Sequence, residues 1–161
     1  MKYIIVLITI LSGLLASEDK SSMKEVFKEN RISQGNLYFE QASKYFSEKN
    51  YKACIEKNRD FLLLYPNHQL RMKVMKLLSE AYWEDDQSLK SIETDIEIYR
   101  NYPTIEEGLN SYLNAARKYI KMGRVKKGKK ILETIQNQMY SKKLAKDAEI
   151  EIEQIKILEI E

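Results

Sequence analysis

A repeat with a period of 37 residues constrains this sequence more than any other feature. A small residue recurs at this spacing, and a tyrosine follows it three positions later each time: Ala42–Tyr45, Ser79–Tyr82 and Ala116–Tyr119. Two Tyr-Pro pairs, at 65–66 and 102–103, keep the same period. A fixed period between about 20 and 50 residues indicates stacked supersecondary units. We therefore predict a single domain built from stacked repeats.

Each unit has the apolar spacing of two helices joined by a tight turn. In the first unit, Tyr38, Ala42 and Tyr45 recur at helical spacing before a polar turn at 47–50. A second apolar run follows in 51–62 with the same periodicity. The pattern predicts an all-α fold of helical hairpins.

Proline sets the predicted end of the second helix in two units. Pro66 and Pro103 have no backbone N–H to donate, and they disfavour helical geometry in the preceding tyrosine. Thr104 and Glu107 then have the spacing of a capping box, which predicts that the next helix starts there. The third unit has Tyr140 where the proline would stand.

The small residue, the tyrosine three positions later, the central turn and the terminal proline resemble the tetratricopeptide repeat, over about residues 35–140. The resemblance implies a helical-hairpin repeat solenoid of about three units, at 35–67, 70–104 and 107–140. Residues 142–160 then form a capping helix, because Leu144, Ala148, Ile152 and Ile155 share one helical face.

Within this repeat family, the chain looks most similar to periplasmic tetratricopeptide proteins of the BamD-like and Tol-associated kinds in bacteria. That resemblance implies a non-enzymatic scaffold that docks another protein of the cell envelope, with peripheral association to a membrane or an outer-membrane complex.

The first 17 residues have the pattern of a secretory signal peptide. The uncharged stretch 3–16 would reach about 21 Å as a helix, less than the ~30 Å hydrocarbon core of a bilayer. We therefore predict a signal peptide at 1–17, a linker at 18–34 that could form a short helix, and export to the bacterial periplasm. A small residue is missing at the −3 position of the cleavage site, so an uncleaved N-terminal anchor stays open.

Side chains for catalysis and metal binding are scarce. One Cys and one His cannot complete a four-ligand zinc site without two carboxylates. His68 has no nucleophile at a recognisable triad spacing, and Cys54 falls in a column of small residues where burial is expected. We therefore predict a protein that is not an enzyme and holds no cofactor or metal. The net charge of +3, from 27 basic and 24 acidic residues, does not favour a nucleic-acid partner.

First-helix positions predict the partner-binding surface. The tetratricopeptide resemblance implies that they line a concave groove, and their apolar members recur every 37 residues. Exposed apolar stripes usually mark binding sites, so we expect a peptide or helix of an envelope protein to bind there. The alternative is that the chain itself covers the stripe, for example with Val26 and Phe27 or with the capping helix. The predicted groove consists of Phe39, Phe46, Lys76, Glu80, Trp83, Leu113, Arg117 and Ile120.

The third unit carries a run of positive charge, and no acidic residue lies within 117–130. The second unit is acidic over the matching stretch, so attraction between neighbouring units explains the pattern simply. Two alternative functions stay open. The first is a cell-wall accessory that binds an anionic polymer through this basic face. The second is a membrane-tethered, chaperone-like protein with an uncleaved anchor. The predicted basic patch consists of Lys118, Lys121, Arg124, Lys126, Lys127, Lys129 and Lys130.

Overall fold

The computed structural model describes the backbone of residues 2–158 and the side chains of residues 23–157. Seven α-helices and no strands make up the described chain: α1 (Lys2–Ser47), α2 (Tyr51–Leu64), α3 (Arg71–Glu84), α4 (Ser88–Asn101), α5 (Glu106–Lys121), α6 (Val125–Gln136) and α7 (Lys142–Leu158). Each helix packs against the next along the chain, and α1 also contacts α3, as α5 contacts α7. The prediction of an all-α fold with neighbouring helices packed together is confirmed.

The same left-handed turn follows α1, α3 and α5. Its central residue has a φ of 58°, 59° and 73° in the three turns, and the N–H of the next residue donates to a tyrosine carbonyl at 2.8, 2.8 and 2.9 Å. This geometry satisfies carbonyls that a helix leaves free at its C-terminus. The central residues are Lys49, Asp86 and Gly123, and the acceptors are Tyr45, Tyr82 and Tyr119.

Helices α2 and α4 end just before the two Tyr-Pro pairs. Tyr65 and Tyr102 leave helical geometry, with φ values of −127° and −137°. Their N–H groups still donate to Phe61 and Ile98, at 2.8 and 3.0 Å, which closes the last turn of each helix. Proline therefore ends these two helices, as predicted.

Two helix starts differ from the sequence predictions. Helix α5 begins at Glu106. Its N-cap residue, Ile105, has an extended backbone, and its side chain makes no capping hydrogen bond. Thr104 stands one residue too early to cap, so the predicted capping box does not form. At the other end of the chain, where the sequence predicts a linker that could form a short helix, residues 18–34 are helical throughout as part of α1. They contain no proline, and a helix that is already formed extends easily through polar residues.

Small residues lie where the two helices of each hairpin cross. Ala42, Ser79 and Ala116 on the first helices are fully buried, as are Cys54 and Ser91 on the second helices. Gly128 takes the matching place on α6, and a Cβ there would lie 2.8 Å from the carbonyl oxygen of Ala116. The helices therefore approach more closely than larger side chains would allow.

Helix α7 repeats the burial pattern of α3 and α5. Residues that are 37 positions apart on the three helices are buried together, in the sets Val74, Ser111 and Ala148 and Leu78, Ala115 and Ile152. The apolar core is divided into one cluster from α1 to α3 and another from α4 to α7.

Within residues 23–157, no helix is long and apolar enough to cross a membrane. The predicted signal peptide at 1–17 lies outside the residues whose side chains the structure describes.

Candidate interaction surfaces

His68 is held as a structural residue between α1 and the α2–α3 connection. Its Nδ1 accepts the N–H of Leu70 at 3.1 Å, so the hydrogen sits on Nε2, which donates to the carbonyl of Ile32 at 3.1 Å. Gly35 allows this approach, because a Cβ there would lie 2.6 Å from the imidazole ring. Both ring nitrogens are therefore engaged in joining the two segments.

Cys54 is fully buried, as its column in the repeat predicts. Burial raises the pKa of its thiol to about 11, and the hydrogen bond from Asn58 opposes the rise. The thiol is therefore protonated at neutral pH and is a poor nucleophile. Within residues 23–157, no three His, Cys, Asp or Glu side chains lie close enough together to hold a metal ion.

The structure removes some residues of the predicted groove from the surface. Leu113 is 1% exposed and belongs to the core, so it cannot line an open groove. Ile120 packs on α6, where a Cβ at Gly128 would lie 2.5 Å from its Cγ1. Phe46 packs edge-on against Tyr51 of α2, with ring centroids 5.5 Å apart. For these three residues the chain covers the stripe itself, through α2 and α6 rather than through the segments that we expected.

The remaining residues of the predicted groove reach solvent and define what we call the first-helix surface. Glu80 and Arg117 are exposed, and the other three are half-buried. The Arg117 guanidinium donates twice to Glu151 of α7, at 2.8 and 2.6 Å, which connects α5 to α7. The first-helix surface consists of Phe39, Lys76, Glu80, Trp83 and Arg117.

Trp83 lies at the junction of α3 and α5 on this surface. The ammonium of Lys118 stands 5.6 Å from the centre of its ring, within the range of a cation–π contact. Trp83 is therefore half-buried, with a cation beside its ring. An aromatic side chain in this state, with Glu80 one turn before it, is a typical anchor for a partner chain.

Lys118 is not part of the basic patch, because its side chain is only 15% exposed and its ammonium points inward. The ammonium lies 2.7 Å from Asp95 Oδ2 and 2.7 and 2.9 Å from the hydroxyls of Ser91 and Ser79. Ser79 also donates to Asp95 Oδ1 at 2.7 Å. This buried network joins α3, α4 and α5, and sequence reasoning missed it. The 37-residue period offered a clue to the inward position of Lys118, because it aligns Lys118 with Ala81, which is buried.

Burial raises the pKa of Asp95 above its usual range, and the adjacent Lys118 ammonium and the Ser79 hydroxyl oppose the rise. Desolvation is the largest of these effects, because the Asp95 side chain is only 4% exposed. The carboxylate therefore depends on Lys118 for its charge balance.

The other residues of the predicted basic patch lie on the surface of α5, α6 and the turn between them. Five of the six are exposed and Lys129 is half-buried. The ammonium of Lys127 lies 5.6 Å from the ring of Tyr119. The basic patch is therefore Lys121, Arg124, Lys126, Lys127, Lys129 and Lys130.

A cleft of about 550 Å³ separates α1 from the connection between α2 and α3. Phe27, Lys28, Arg31 and Ile32 line one side, and residues 65–69 line the other. Arg31 crosses between the two sides and donates to the carbonyl of Leu64 at 2.8 Å. This cleft was not predicted from the sequence, because 18–34 was expected to be a linker with at most a short helix.

A comparison with protein-family models finds no match to this chain, and none of the curated proteins matches it either.

Proposed function

We propose that the protein is a non-enzymatic protein–protein interaction module of the bacterial cell envelope, folded as a tetratricopeptide-like solenoid of about three 37-residue hairpins with α7 as the capping helix. The recurrence of one turn geometry at 49, 86 and 123 supports the repeat assignment. The 37-residue register of burial on α3, α5 and α7 supports the stacking of the hairpins. In this reading the chain is a short, exported adaptor.

The observation that carries the proposed function is the half-buried Trp83 within a surface of mixed charge. Glu80 and Arg117 occupy matching positions on α3 and α5, both are exposed, and they differ in sign. A partner with an apolar side chain for Trp83 and a basic group for Glu80 complements this arrangement. An extended peptide or a helix of another envelope protein provides such a sequence of groups.

Photo-crosslinking in cells tests this proposal with a matched pair of positions. A photoreactive amino acid replaces Glu80 on the first-helix surface in one strain, and in the other it replaces Glu97, an acid of α4 that is also exposed. We expect a discrete adduct from position 80 that is lost when Trp83→Ala is added, and no such adduct from position 97. Equal adducts from both positions, or an adduct that survives Trp83→Ala, would reject the first-helix surface as the binding site.

The exposed charges of the basic patch favour a second candidate function, the binding of an anionic cell-wall polymer. Lys126 and Lys130 lie one helical turn apart on α6 and both reach solvent. Such binding weakens steeply with added salt, because exposed charges more than about 10 Å apart are screened at 0.1 M ionic strength. Pull-down on purified peptidoglycan, repeated over a series of salt concentrations, separates the two functions. Polymer binding should survive Trp83→Ala. It should decline in the double variant Lys126→Gln, Lys130→Gln.

A further inference from the structure

The N-terminal half of α1 carries apolar side chains that the fold does not use. Met23, Val26 and Phe27 are 52%, 61% and 64% exposed. All nine residues of 23–31 are exposed, and the first buried residue of α1 after them is Gly35. Large apolar side chains grouped on an exposed helix usually mark an interaction site.

Charges on this segment are sorted around the helix axis. At about 100° per residue, the three apolar residues share one sector, and the basic residues occupy the sector beside it. The acidic residues occupy the other flank, where Glu29 lies about 60° from Val26. The basic residues are Lys24, Lys28 and Arg31, and the acidic residues are Glu25 and Glu29.

An apolar sector with a basic flank complements the surface of an anionic bilayer, where apolar side chains enter the headgroup region and cations pair with phosphates. In the form of the chain that keeps residues 1–17, the uncharged stretch 3–16 belongs to the same helix, and residue 23 follows its end by about 10 Å at 1.5 Å per residue. A peptide seated in the neighbouring cleft would contact Phe27 but leave Met23 and Val26 in water, since neither lines the cleft.

We propose that residues 23–31 of α1 bind the surface of a membrane that contains anionic lipids. Met23, Val26 and Phe27 enter the headgroup region, and Lys24 and Lys28 pair with lipid phosphates. This inference is independent of the proposed function, because it uses a different part of the molecule.

Vesicle co-sedimentation of the full chain tests the proposal. Partition is measured on vesicles of phosphatidylcholine alone and on an equimolar mixture with phosphatidylglycerol. The ratio of the two partition constants isolates the effect of lipid charge from any apolar insertion of residues 1–17. The variant Lys24→Gln, Lys28→Gln is compared with Lys142→Gln, Lys146→Gln, which removes two exposed lysines at the same spacing from α7. All four lysines are exposed, so circular dichroism of both variants should match that of the wild type.

We expect the Lys24, Lys28 variant to lower the ratio by roughly 25-fold, at about fivefold for each lysine, and the control variant to change it by less than about twofold. A second variant, Val26→Ser with Phe27→Ser, should lower partition into both kinds of vesicle. Equal losses in the two lysine variants would show attraction by net charge alone and overturn the proposal. It is also overturned if the wild type shows no preference for the anionic vesicles, or if the serine variant partitions as the wild type does.

Discussion

Lys118 and Asp95 form a buried charged pair at positions where the neighbouring interfaces are neutral. One period earlier the matching residues are Ala81 and Asn58, and one period later they are Ile155 and Leu132, all of them buried. The pair therefore marks the contact between the second and third hairpins as chemically different from the other two. Removing one partner of such a pair leaves the other charge without compensation.

We predict that Lys118→Met lowers the free energy of unfolding by about 3–5 kcal/mol, because it keeps the apolar stem of the side chain and leaves the Asp95 carboxylate unpaired. Urea denaturation followed by far-UV circular dichroism measures the loss. Asp95→Asn combined with Lys118→Met provides the control, since a neutral amide still accepts the Ser79 hydroxyl. That double variant should unfold within about 2 kcal/mol of the wild type. Equal instability of the single and double variants would show that an unpaired charge is not the cause.

The penalty of Lys118→Met should also depend on pH. Burial raises the folded-state pKa of Asp95 above the unfolded value of about 3.9, so its contribution to stability is fully present below that value and is lost as pH rises through the folded pKa. Removing the ammonium raises that pKa further. Denaturation curves at a series of pH values should therefore show a small penalty near about pH 4 and a larger one near neutrality. A penalty that stays constant with pH contradicts this assignment.

At the residue scale, sequence analysis identified the small residues at the helix crossings but not the polar network built on two of them. Ser79 and Ser91 fit the small-residue columns, and both are fully buried. Lys118 was placed in the basic patch because it stands in a run of cations. A run of charge in the sequence does not show which member points inward, since neighbouring residues on a helix point about 100° apart.

At the scale of the helical elements, the recurring left-handed turn uses three different residues for one backbone conformation. Gly123 adopts a positive φ without a Cβ, whereas Lys49 and Asp86 hold theirs with φ values of 58° and 59°. A left-handed residue with a Cβ costs about 1–2 kcal/mol, and glycine avoids this at the expense of entropy in the unfolded chain.

We therefore predict opposite effects at matching turns. Lys49→Gly should raise the free energy of unfolding by about 0.5–1 kcal/mol, and Gly123→Ala should lower it by about 1 kcal/mol. No atom lies within 4 Å of a Cβ built at Gly123, so the loss reports the backbone rather than a clash. Thermal and urea unfolding of the two variants measure both changes. If Lys49→Gly destabilises the protein instead, the lysine side chain stabilises the folded state by more than its left-handed backbone conformation costs.

Helix ends were predictable where one residue decides them and not where several compete. Pro66 and Pro103 have a fixed φ and no donor, so α2 and α4 end where the sequence indicates. The start of α5 depends on the extended backbone of Ile105, and Thr104 is out of register to cap it. The segment 18–34 contains no breaker, so nothing local stops α1 from running through it.

At the scale of the whole molecule, periodicity predicted which residues are related but not which neighbour covers each of them. Leu113 and Ile120 share a period with Lys76 and Trp83, and they were assigned to one groove. In the structure the first two pack in the cluster that includes α6, while Trp83 is half-buried. A period of 37 residues shows which residues correspond between units. Which of them become covered is decided only when the helices pack against one another.

In the proposed stack of repeats each hairpin depends on its neighbours, so α7 should stabilise the hairpin before it. Leu144, Ala148, Ile152 and Ile155 are buried in one cluster with residues of α4, α5 and α6. Truncation after residue 141 removes three large buried side chains, at about 1.5–3 kcal/mol each, which approaches the total stability of a typical domain. We predict that this truncation unfolds α5 and α6 and leaves protection in the separate cluster of α1 to α3.

Hydrogen exchange measured by mass spectrometry on the full and truncated chains follows each helix separately. Ile150→Ser with Ile157→Ser is the matched control, because these residues of α7 are 41% and 60% exposed and their loss should leave exchange in α5 and α6 unchanged. Protection of α5 and α6 that survives the truncation would show that the third hairpin is stable without a covering helix. Loss of protection in α1 to α3 as well would show that the two apolar clusters fold as one cooperative unit, joined through the Lys118 network.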